Sequence, residues 1–483
     1  MSSEVFLTSG PSASLTSSSQ ITHGEVRCKD SPCILIGCGA MRDILAETFN
    51  DIHFILDDRS AADSRELQFP RDQAITRLDG SQLIPYSFTQ TALELSWSTL
   101  ALLPESSNHF ISSIRSAYST GFEQSNTDYS LKFSEHHQLS FERASSCIEG
   151  GNCFLFMANE EPCALVGCHS QTLSLLALEE QGYFAKNEEA VQQIAEQATP
   201  SDWAVRMARN WQYHQEREPI ESLKRAKKSL FDQFYNTRDS VLKEALQAQI
   251  AAIDLKLQPL ELVKKWKSDS DFKKALQAPI SEEDRMEYQI AAKLFEAKLQ
   301  LTKSVMAKEL GVPEKNLLIL PQKKFHLDME MFLGSNNTVY VQDESLAQRE
   351  LAKIQYGQKS FKAMVERFRQ GSEARTSADQ AKNQHIAELL AQIGCKMVPV
   401  PGYFEGDWET SKINFFNGLK VGQKFITNQA PHGFEWLQEA FENAVHTIEP
   451  DLHIFFAGGS IIQEILKSGA GIHCMTREIR SLI

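Results

Sequence analysis

The chain has 483 residues, of which 42% are hydrophobic, and it carries a formal net charge of −14. This acidic balance argues against a mainly nucleic-acid-binding protein and favours cationic small molecules, which a negative field attracts. The nine cysteines form no Cys-x-x-Cys pair, and no apolar run approaches the ~18 residues of a membrane span, so we expect reduced thiols and a cytoplasmic protein without a transmembrane segment.

The N-terminal part of the chain carries short strand, turn and helix patterns. Residues 1–27 are rich in Ser and Thr and lack the regions of a signal peptide, which predicts a disordered tail. A strand, a turn, a helix and a second strand are predicted from CILIGCGAMRDILAETFNDIHFILDD, whose Gly-x-Gly turn alone is weak support for a dinucleotide site. Asp79-Gly80 predicts a hairpin turn, and a further pair of strands is predicted from CIEGGNCFLFMANEEPCALVG.

A long helical segment follows. Between 188 and 308 the chain is mostly charged residues, Ala, Leu and Gln, with apolar residues at helical spacing. We expect a helical hairpin or small bundle, broken at Pro259 and Pro279, with Ser281 as the N-cap of its last helix. Five apolar residues of that helix are predicted to share one face: Met286, Ile290, Leu294, Leu301 and Val305. A basic run is either a solvated helix face or a site for an acidic partner: Lys224, Arg225, Lys227 and Lys228.

The α/β pattern resumes after this segment. Strands are predicted from CKMVPVPG, GLKVGQKFITNQ and DLHIFFAGG, and helices from SLAQRELAKI, KSFKAMVERFRQ and FEWLQEAFENAV. Pairs of strands with one intervening helix keep returning, which suggests repeated small units arranged around an axis. We therefore divide the ordered chain into residues 28–187, 188–308 and 309–483, with the first and last ranges forming one α/β domain.

Polar residues of the types used in catalysis stand beside several predicted strands. They are Asp72 in FPRD, Glu149 in EGGN, His326 and Asp328 in FHLDM, and Cys474 in GIHCMT. If His326 and Asp328 lie on a strand, their side chains point to one face, because positions i and i+2 do so. His473 is a weaker candidate than Cys474, because adjacent residues of a strand face opposite ways. Each motif alone has an ordinary explanation as a turn or an ion pair, and their combination is what indicates a site.

In this order the motifs resemble those of the guanidino-group-modifying enzyme superfamily, which has the pentein fold. The motifs Phe-x-Arg-Asp, Glu-Gly-Gly, His-x-Asp and His-Cys-x-Thr follow one another as in arginine deiminase, agmatine deiminase and the amidinotransferases. The resemblance spans roughly residues 30–185 and 300–483. It implies an α/β propeller of repeated ββαβ units, from which the helical segment departs as a long insertion.

The resemblance also implies a role for each residue. Asp72 and Asp328 would hold a planar guanidinium through paired hydrogen bonds. Cys474 would attack the guanidinium carbon and form a covalent amidino-thioether. His326, oriented by Glu149, would protonate the departing amine and then activate water. The resemblance implies no metal or organic cofactor.

The substrate and the acceptor of the amidino group stay open. A deiminase would release ammonia and a ureido, citrulline-like product, whereas an amidinotransferase would pass the amidino group to an amine. Phe69 replaces the Trp of the agmatine deiminase motif and resembles the arginine deiminase version. Arg71 and Asn152 are candidate substrate-binding residues, with a packing salt bridge as an equal alternative for Arg71. A third hypothesis is a partner-binding protein that uses the helical insertion and modifies an arginine of that partner.

Overall fold

A computed structural model gives the structure of the protein. The residues that it describes are 33–57, 67–86, 129–262, 280–322, 326–352, 372–404 and 408–479. The tail predicted at 1–27, the helix predicted from KSFKAMVERFRQ and the break predicted at Pro279 lie outside these ranges.

The described strands form five three-stranded sheets. They are β1 (Cys33–Ile36), β2 (His53–Leu56), β3 (Ile75–Thr76), β4 (Gln82–Ile84), β5 (Phe141–Arg143), β6 (Cys153–Ala158), β7 (Glu161–Gly167), β8 (Leu317–Leu320), β9 (Met331–Leu333), β10 (Thr338–Asp343), β11 (Lys396–Pro401), β12 (Leu419–Val421), β13 (Lys424–Asn428), β14 (His453–Ala457) and β15 (Thr476–Glu478). The sheets have the orders β15-β1-β2, β3-β4-β5, β6-β7-β8, β9-β10-β11 and β12-β13-β14.

All five sheets share one pairing pattern. The middle strand runs antiparallel to the first strand and parallel to the third. A parallel connection needs a crossover, usually a helix, and each sheet has helical residues in the chain between its middle and third strands. In the first sheet, β15 from the C-terminal part pairs with β1, with Ile34 opposite Glu478. The recurring strand pairs seen in the sequence are therefore five units of equal topology.

The helices of the described residues complete these units. They are α1 (Gly39–Thr48), α2 (Cys168–Glu180), α3 (Tyr183–Lys186), α4 (Glu188–Gln197), α5 (Asp202–Asn236), α6 (Ser240–Leu262), α7 (Glu282–Glu287), α8 (Gln289–Leu310), α9 (Glu344–Ala352), α10 (Ser372–Gln392), α11 (Trp408–Ser411), α12 (Glu435–His446) and α13 (Ser460–Lys467). Residues 129–136 are also helical. No helix in the described ranges has both the length and the apolar character that crossing a bilayer requires.

Hydrophobic clusters join the sheets in succession from the first, through the fifth, fourth and third, to the second. Residues of the first sheet meet the fifth, as Ile34 does with Ile426, and the fifth meets the fourth, as Phe425 does with Phe332. Similar clusters join the fourth sheet to the third and the third to the second. Leu35 of the first sheet packs with residues of the helical stretch that precedes β5. The core is thus divided among the contacts between successive units.

Helices α2 to α8 lie in the chain between β7 and β8, at the helix position of the third unit. They have a cluster of their own, and the Ser281 side chain caps α7 as predicted, accepting a hydrogen bond from the Asp284 amide at 3.0 Å. Two predictions fail here. Helix α6 continues through Pro259 to Leu262, and Met286 and Ile290 are 72% and 81% exposed.

The second failure has a physical cause. Tyr288 separates α7 from α8, so the helical spacing is interrupted between Met286 and the other four residues. Ile290 lies within α8 itself, on a face other than the buried one. The fully buried positions of α8 include the small residues Ala292 and Ala297 together with Leu299. Apolar spacing alone does not identify the buried face of a helix whose close contacts use alanine.

Candidate active site

The candidate residues lie at equivalent positions of different units, just before the first strand of a sheet. Asp72 ends a short turn before β3, and Glu149 precedes the turn Gly150–Asn152 that leads into β6. His326 and Asp328 belong to the turn before β9, and Cys474 lies in the turn before β15. Because every unit has the same topology, these turns meet at one end of the sheets.

His326 and Asp328 come together for a different reason from the one predicted. Leu327–Met329 is a 3-10 turn and not a strand, so the alternation of side chains along a strand does not apply. His326 Nδ1 and Asp328 Oδ1 are 4.0 Å apart. The Leu327 amide donates to Asn152 Oδ1 at 3.1 Å, which ties this turn to the turn before β6.

His326 is completely buried and lies between two carboxylates. Its Nε2 is 3.2 Å from Glu149 Oε2 and 4.0 Å from Asp72 Oδ1. Gly151 is packed against the ring so closely that a Cβ there would stand 2.4 Å from Nδ1. The second glycine of the Glu-Gly-Gly motif therefore makes room for the imidazole, and the Gly151 amide donates to Asp72 at 3.2 Å.

Asn152 positions the surrounding residues. Its Nδ2 donates to Glu149 at 3.0 Å, and its Oδ1 accepts from Gln322 at 2.6 Å and from the Leu327 amide. Both ends of this buried carboxamide are bonded to protein groups, which does not match the substrate-binding role predicted for Asn152.

Cys474 lies beside Asp328, with Sγ 3.8 Å from Oδ2. The same oxygen is 2.8 Å from His473 Nδ1. The prediction that His473 faces the opposite way from Cys474 is therefore wrong, because residues 472–475 form a turn and not a strand. The sequence did indicate that His473 could belong to the site, because His473 is part of the His-Cys motif.

Arg71 is held by a residue that the sequence did not single out. Its two terminal nitrogens lie 2.7 and 3.0 Å from the carboxylate oxygens of Glu478. Burial acts to raise the pKa of Glu478, but Arg71 outweighs burial and lowers it to about 2. Arg71 Nε also reaches the His473 carbonyl at 3.4 Å. This is the salt-bridge geometry proposed as one of the two alternatives for Arg71.

The cluster has an unusual protonation state. Burial acts to lower the pKa of His326, but Asp72, the Cys474 thiol and Glu149 outweigh it, so that this pKa lies well above its ordinary value. Burial and Asp328 raise the pKa of Cys474 to about 11. At neutral pH the site therefore holds an imidazolium and a neutral thiol.

The two aspartates differ from each other. Burial raises the pKa of Asp72 to about 6, against the opposing effect of His326. Burial also acts to raise the pKa of Asp328, but His473, His326 and Arg71 lower it below its ordinary value. Asp328 is thus ionised at neutral pH, whereas Asp72 titrates just below neutrality.

Three of these residues could hold a metal ion. The donor atoms of His326, Asp328 and Cys474 all lie within 4.8 Å of one another. Metal ligands must be deprotonated, and the raised pKa values of His326 and Cys474 keep protons on both. A cation bound here would therefore displace two protons.

A cavity of about 280 Å³ lies beside the cluster. Residues of β3, β6, β9, β12 and β15, the first strand of every sheet, line it together. Asp328, His473 and Arg71, which belong to or touch the candidate cluster, also line it. The five sheets thus present their first strands to one shared space.

No protein-family model matches the chain, and neither the curated proteins nor the solved structures include a match. A function for the chain must therefore be inferred from its own motifs and geometry.

Proposed function

We propose that the chain is a deiminase-type hydrolase that acts on the guanidinium group of arginine or an arginine-like compound. The observation that carries this proposal is the buried cluster of a thiol, an imidazole and three carboxylates. Its members come from remote parts of the chain: 146 residues separate Asp328 from Cys474, and 177 separate Glu149 from His326. Covalent chemistry on a planar cation requires a nucleophile, a proton donor and carboxylates close to one another, and the fold brings these groups together.

We further infer a pentein-type propeller with a helical insertion in its third unit. Three observations support this architecture: the common pairing pattern of the five sheets, the hydrophobic clusters between successive units, and the cavity lined by the first strand of each sheet. The pairing of β15 with β1 joins the two ends of the described chain within one sheet. In a propeller this pairing would complete the first unit.

Substrate binding would use the carboxylates. A guanidinium has only hydrogen-bond donors and prefers paired carboxylate acceptors. Asp328 Oδ1 is buried and accepts no hydrogen bond from the described residues, so it is available for a guanidinium N–H group. Asp72 provides a second acceptor on the other side of His326, and its side chain is 29% exposed.

Cys474 would be activated by the substrate itself. Its pKa of about 11 results first from burial and then from the charge of Asp328. A guanidinium bound to Asp328 offsets that charge and places a cation beside the thiol, which favours the thiolate. The thiol proton passes to solvent water, the thiolate forms a bond to the guanidinium carbon, and the C–N bond to one amino group breaks. The imidazolium of His326 supplies the proton with which that group leaves as ammonia.

Hydrolysis would regenerate the thiol. His326 is neutral after giving up its proton, so it can take a proton from water as the water oxygen bonds to the amidino carbon. The C–S bond then breaks, the electron pair returns to Cys474, which takes up the hydroxyl proton of the hydrated adduct, and the ureido product leaves. Glu149, 3.2 Å from Nε2, stabilises the imidazolium in both steps.

The first experiment compares the wild type with Cys474→Ser on arginine, agmatine and an arginine-rich protein. Ammonia and ureido product are both measured. Cys153→Ser is the matched control, because Cys153 is another buried free thiol that lines the cavity. The proposal expects ureido product and ammonia from at least one substrate, lost in Cys474→Ser and retained in Cys153→Ser.

Other outcomes would redirect the proposal. Turnover only after an acceptor amine is added would indicate an amidinotransferase. A second test does not depend on the substrate: chloroacetamidine, a cationic alkylating agent, should modify Cys474 faster than neutral chloroacetamide, because the site carries carboxylates. Equal rates, together with no turnover, would contradict a guanidine-modifying enzyme.

A further inference from the structure

Asn417 lies against the nucleophile and has no role so far. It stands two residues before β12, the first strand of the fifth sheet. Its Oδ1 accepts a hydrogen bond from the Cys474 amide at 3.2 Å, and its carbonyl accepts one from the His473 amide at 3.2 Å. Gly471 is packed on the same side chain, where a Cβ would stand 2.5 Å from Oδ1. Asn417 thus lies two residues before the first strand of its unit, as Cys474 does, and Asp72 and Asp328 lie three residues before theirs.

The carboxamide of Asn417 has one unused group. The Cys474 N–H can only donate, which fixes Oδ1 as the atom that faces it. Asn417 is 1% exposed, and its Nδ2 has no hydrogen-bond partner among the described residues. A buried donor without a partner destabilises the fold, so such groups in native proteins require an explanation.

A guanidinium does not explain this donor. The bound cation offers only N–H groups and no acceptor, so it cannot accept a hydrogen bond from Nδ2. The hydrolytic step, in contrast, brings an oxygen to the amidino carbon, and this oxygen becomes the carbonyl of the ureido product. A carbonyl oxygen is a strong acceptor.

We propose that Asn417 is a further catalytic residue, whose Nδ2 donates a hydrogen bond to the oxygen that enters during hydrolysis of the Cys474 adduct. This inference rests on the proposed deiminase function and assigns Asn417 to its second half. The adduct is S–C(=NH₂⁺)–NHR; water adds through oxygen, the C–S bond breaks, and the products are the ureido compound, the Cys474 thiol and one proton. The donor thereby favours water over an incoming amine, which brings no such oxygen.

The two halves of the reaction are measured separately to test this inference. Release of ammonia reports the first half, and release of ureido product the second, while intact mass reports the adduct. The substrate is whichever of arginine, agmatine and the arginine-rich protein the wild type turns over. Asn417→Asp keeps the acceptor for the Cys474 amide and removes the donor. Asn417→Ser is an uncharged variant whose hydroxyl stands where the carboxamide carbon was, so the donor is moved away from the position of Nδ2.

Both Asn417 variants are expected to form ammonia in a burst and then to accumulate adduct. Release of the ureido product should be slowed by about 10²-fold, which is the effect of losing one oxyanion donor. Asn414→Asp is the matched control. Asn414 is buried three residues away, and both ends of its carboxamide are bonded, to the Met329 carbonyl and the Phe416 amide. It should slow both halves alike, if it slows either.

Two results would overturn the inference. An equal loss in both halves for Asn417→Asp and Asn417→Ser would mean that Asn417 only holds the loop. A slowed burst without adduct would mean that its donor serves the thiolate. A wild type that forms neither ammonia nor adduct from any substrate would instead refute the proposed function itself, and this inference with it.

Discussion

Arg71 and Glu478 form a bidentate ion pair although 407 residues separate them in the chain. Arg71 belongs to the turn before β3, and Glu478 ends β15. The pair therefore ties the second unit to the strand that completes the first. It also lines the cavity beside Asp328 and His473, so its loss would act both on folding and on the site.

We expect Glu478→Gln to destabilise the protein by about 3 kcal/mol, because it leaves the Arg71 charge buried without its partner. Urea unfolding measures the change. The control is Asp254→Asn, which removes the exposed ion pair with Lys227 and should cost less than about 1 kcal/mol. Equal losses of unfolding free energy in the two variants would show that the Arg71–Glu478 pair stabilises the fold no more than an exposed ion pair does.

The stabilisation from Glu478 depends on pH in a defined direction. Its folded-state pKa is about 2, below the ~4.3 of an unfolded glutamate. The ionised pair therefore stabilises the fold fully above the unfolded pKa, and this contribution is lost as the pH falls towards 2. The difference in stability between wild type and Glu478→Gln should be constant above about pH 5 and should shrink between pH 5 and 2. A difference independent of pH would contradict this assignment.

The ionisation of Asp72 changes the stability of the fold with pH in the opposite direction. Its pKa of about 6 lies above that of an unfolded aspartate, so its ionisation destabilises the fold as the pH rises from about 4 to 6. Asp72→Asn should therefore be more stable at pH 7, by about 1–2 kcal/mol since the side chain is partly exposed, and nearly inactive. In the wild type, kcat/KM should fall below pH 6 as the carboxylate is protonated. A less stable or fully active Asp72→Asn would contradict this role.

Sequence reasoning found the five residues of the cluster because their motifs are local. The hairpin predicted from Asp79-Gly80 is confirmed, because β3 and β4 are antiparallel and Gly80 has φ +83°. A turn of this kind depends on the conformational freedom of one residue, which the sequence reports directly. The first strand, helix and second strand were also placed correctly.

What the sequence did not give are relationships set by the packing of distant units. Glu478 has no motif, and its importance comes only from the pairing of β15 with β1. Asn417 became a candidate only from its contacts: Oδ1 faces the Cys474 amide, and Nδ2 has no partner in the part of the chain that the structure describes. His473 was assigned to the wrong face because a strand was assumed where the chain forms a turn.

The metal-ligating geometry of the cluster gives a further prediction. A chelator is expected to leave turnover unchanged, whereas added Zn²⁺ should inhibit by binding His326, Asp328 and Cys474. Because Zn²⁺ must displace the protons of His326 and Cys474, inhibition should become stronger as the pH rises. Turnover at fixed free Zn²⁺ across pH measures this, with Cys153→Ser as a variant of unchanged sensitivity. Loss of activity with a chelator, restored by metal, would indicate a metalloenzyme.

The position of His326 depends on Gly151, which provides the last prediction. A Cβ at Gly151 would stand 2.4 Å from His326 Nδ1, so Gly151→Ala must displace the imidazole from Glu149 and Asp72. Misplacement of a catalytic group by ~1 Å can cost about 10²-fold, and we expect at least that loss of kcat. The imidazole should also lose part of its raised pKa, which NMR titration of His326 would report.

Gly182→Ala separates this effect from a general cost of replacing glycine. Gly182 has φ +67° and open space around its Cα, so alanine there is strained by about 1–2 kcal/mol but displaces nothing in the site. It should lower stability and leave kcat unchanged. If Gly151→Ala kept full activity, the close contact between Gly151 and His326 would not control the position of the imidazole, and the geometry proposed for proton transfer would have to be revised.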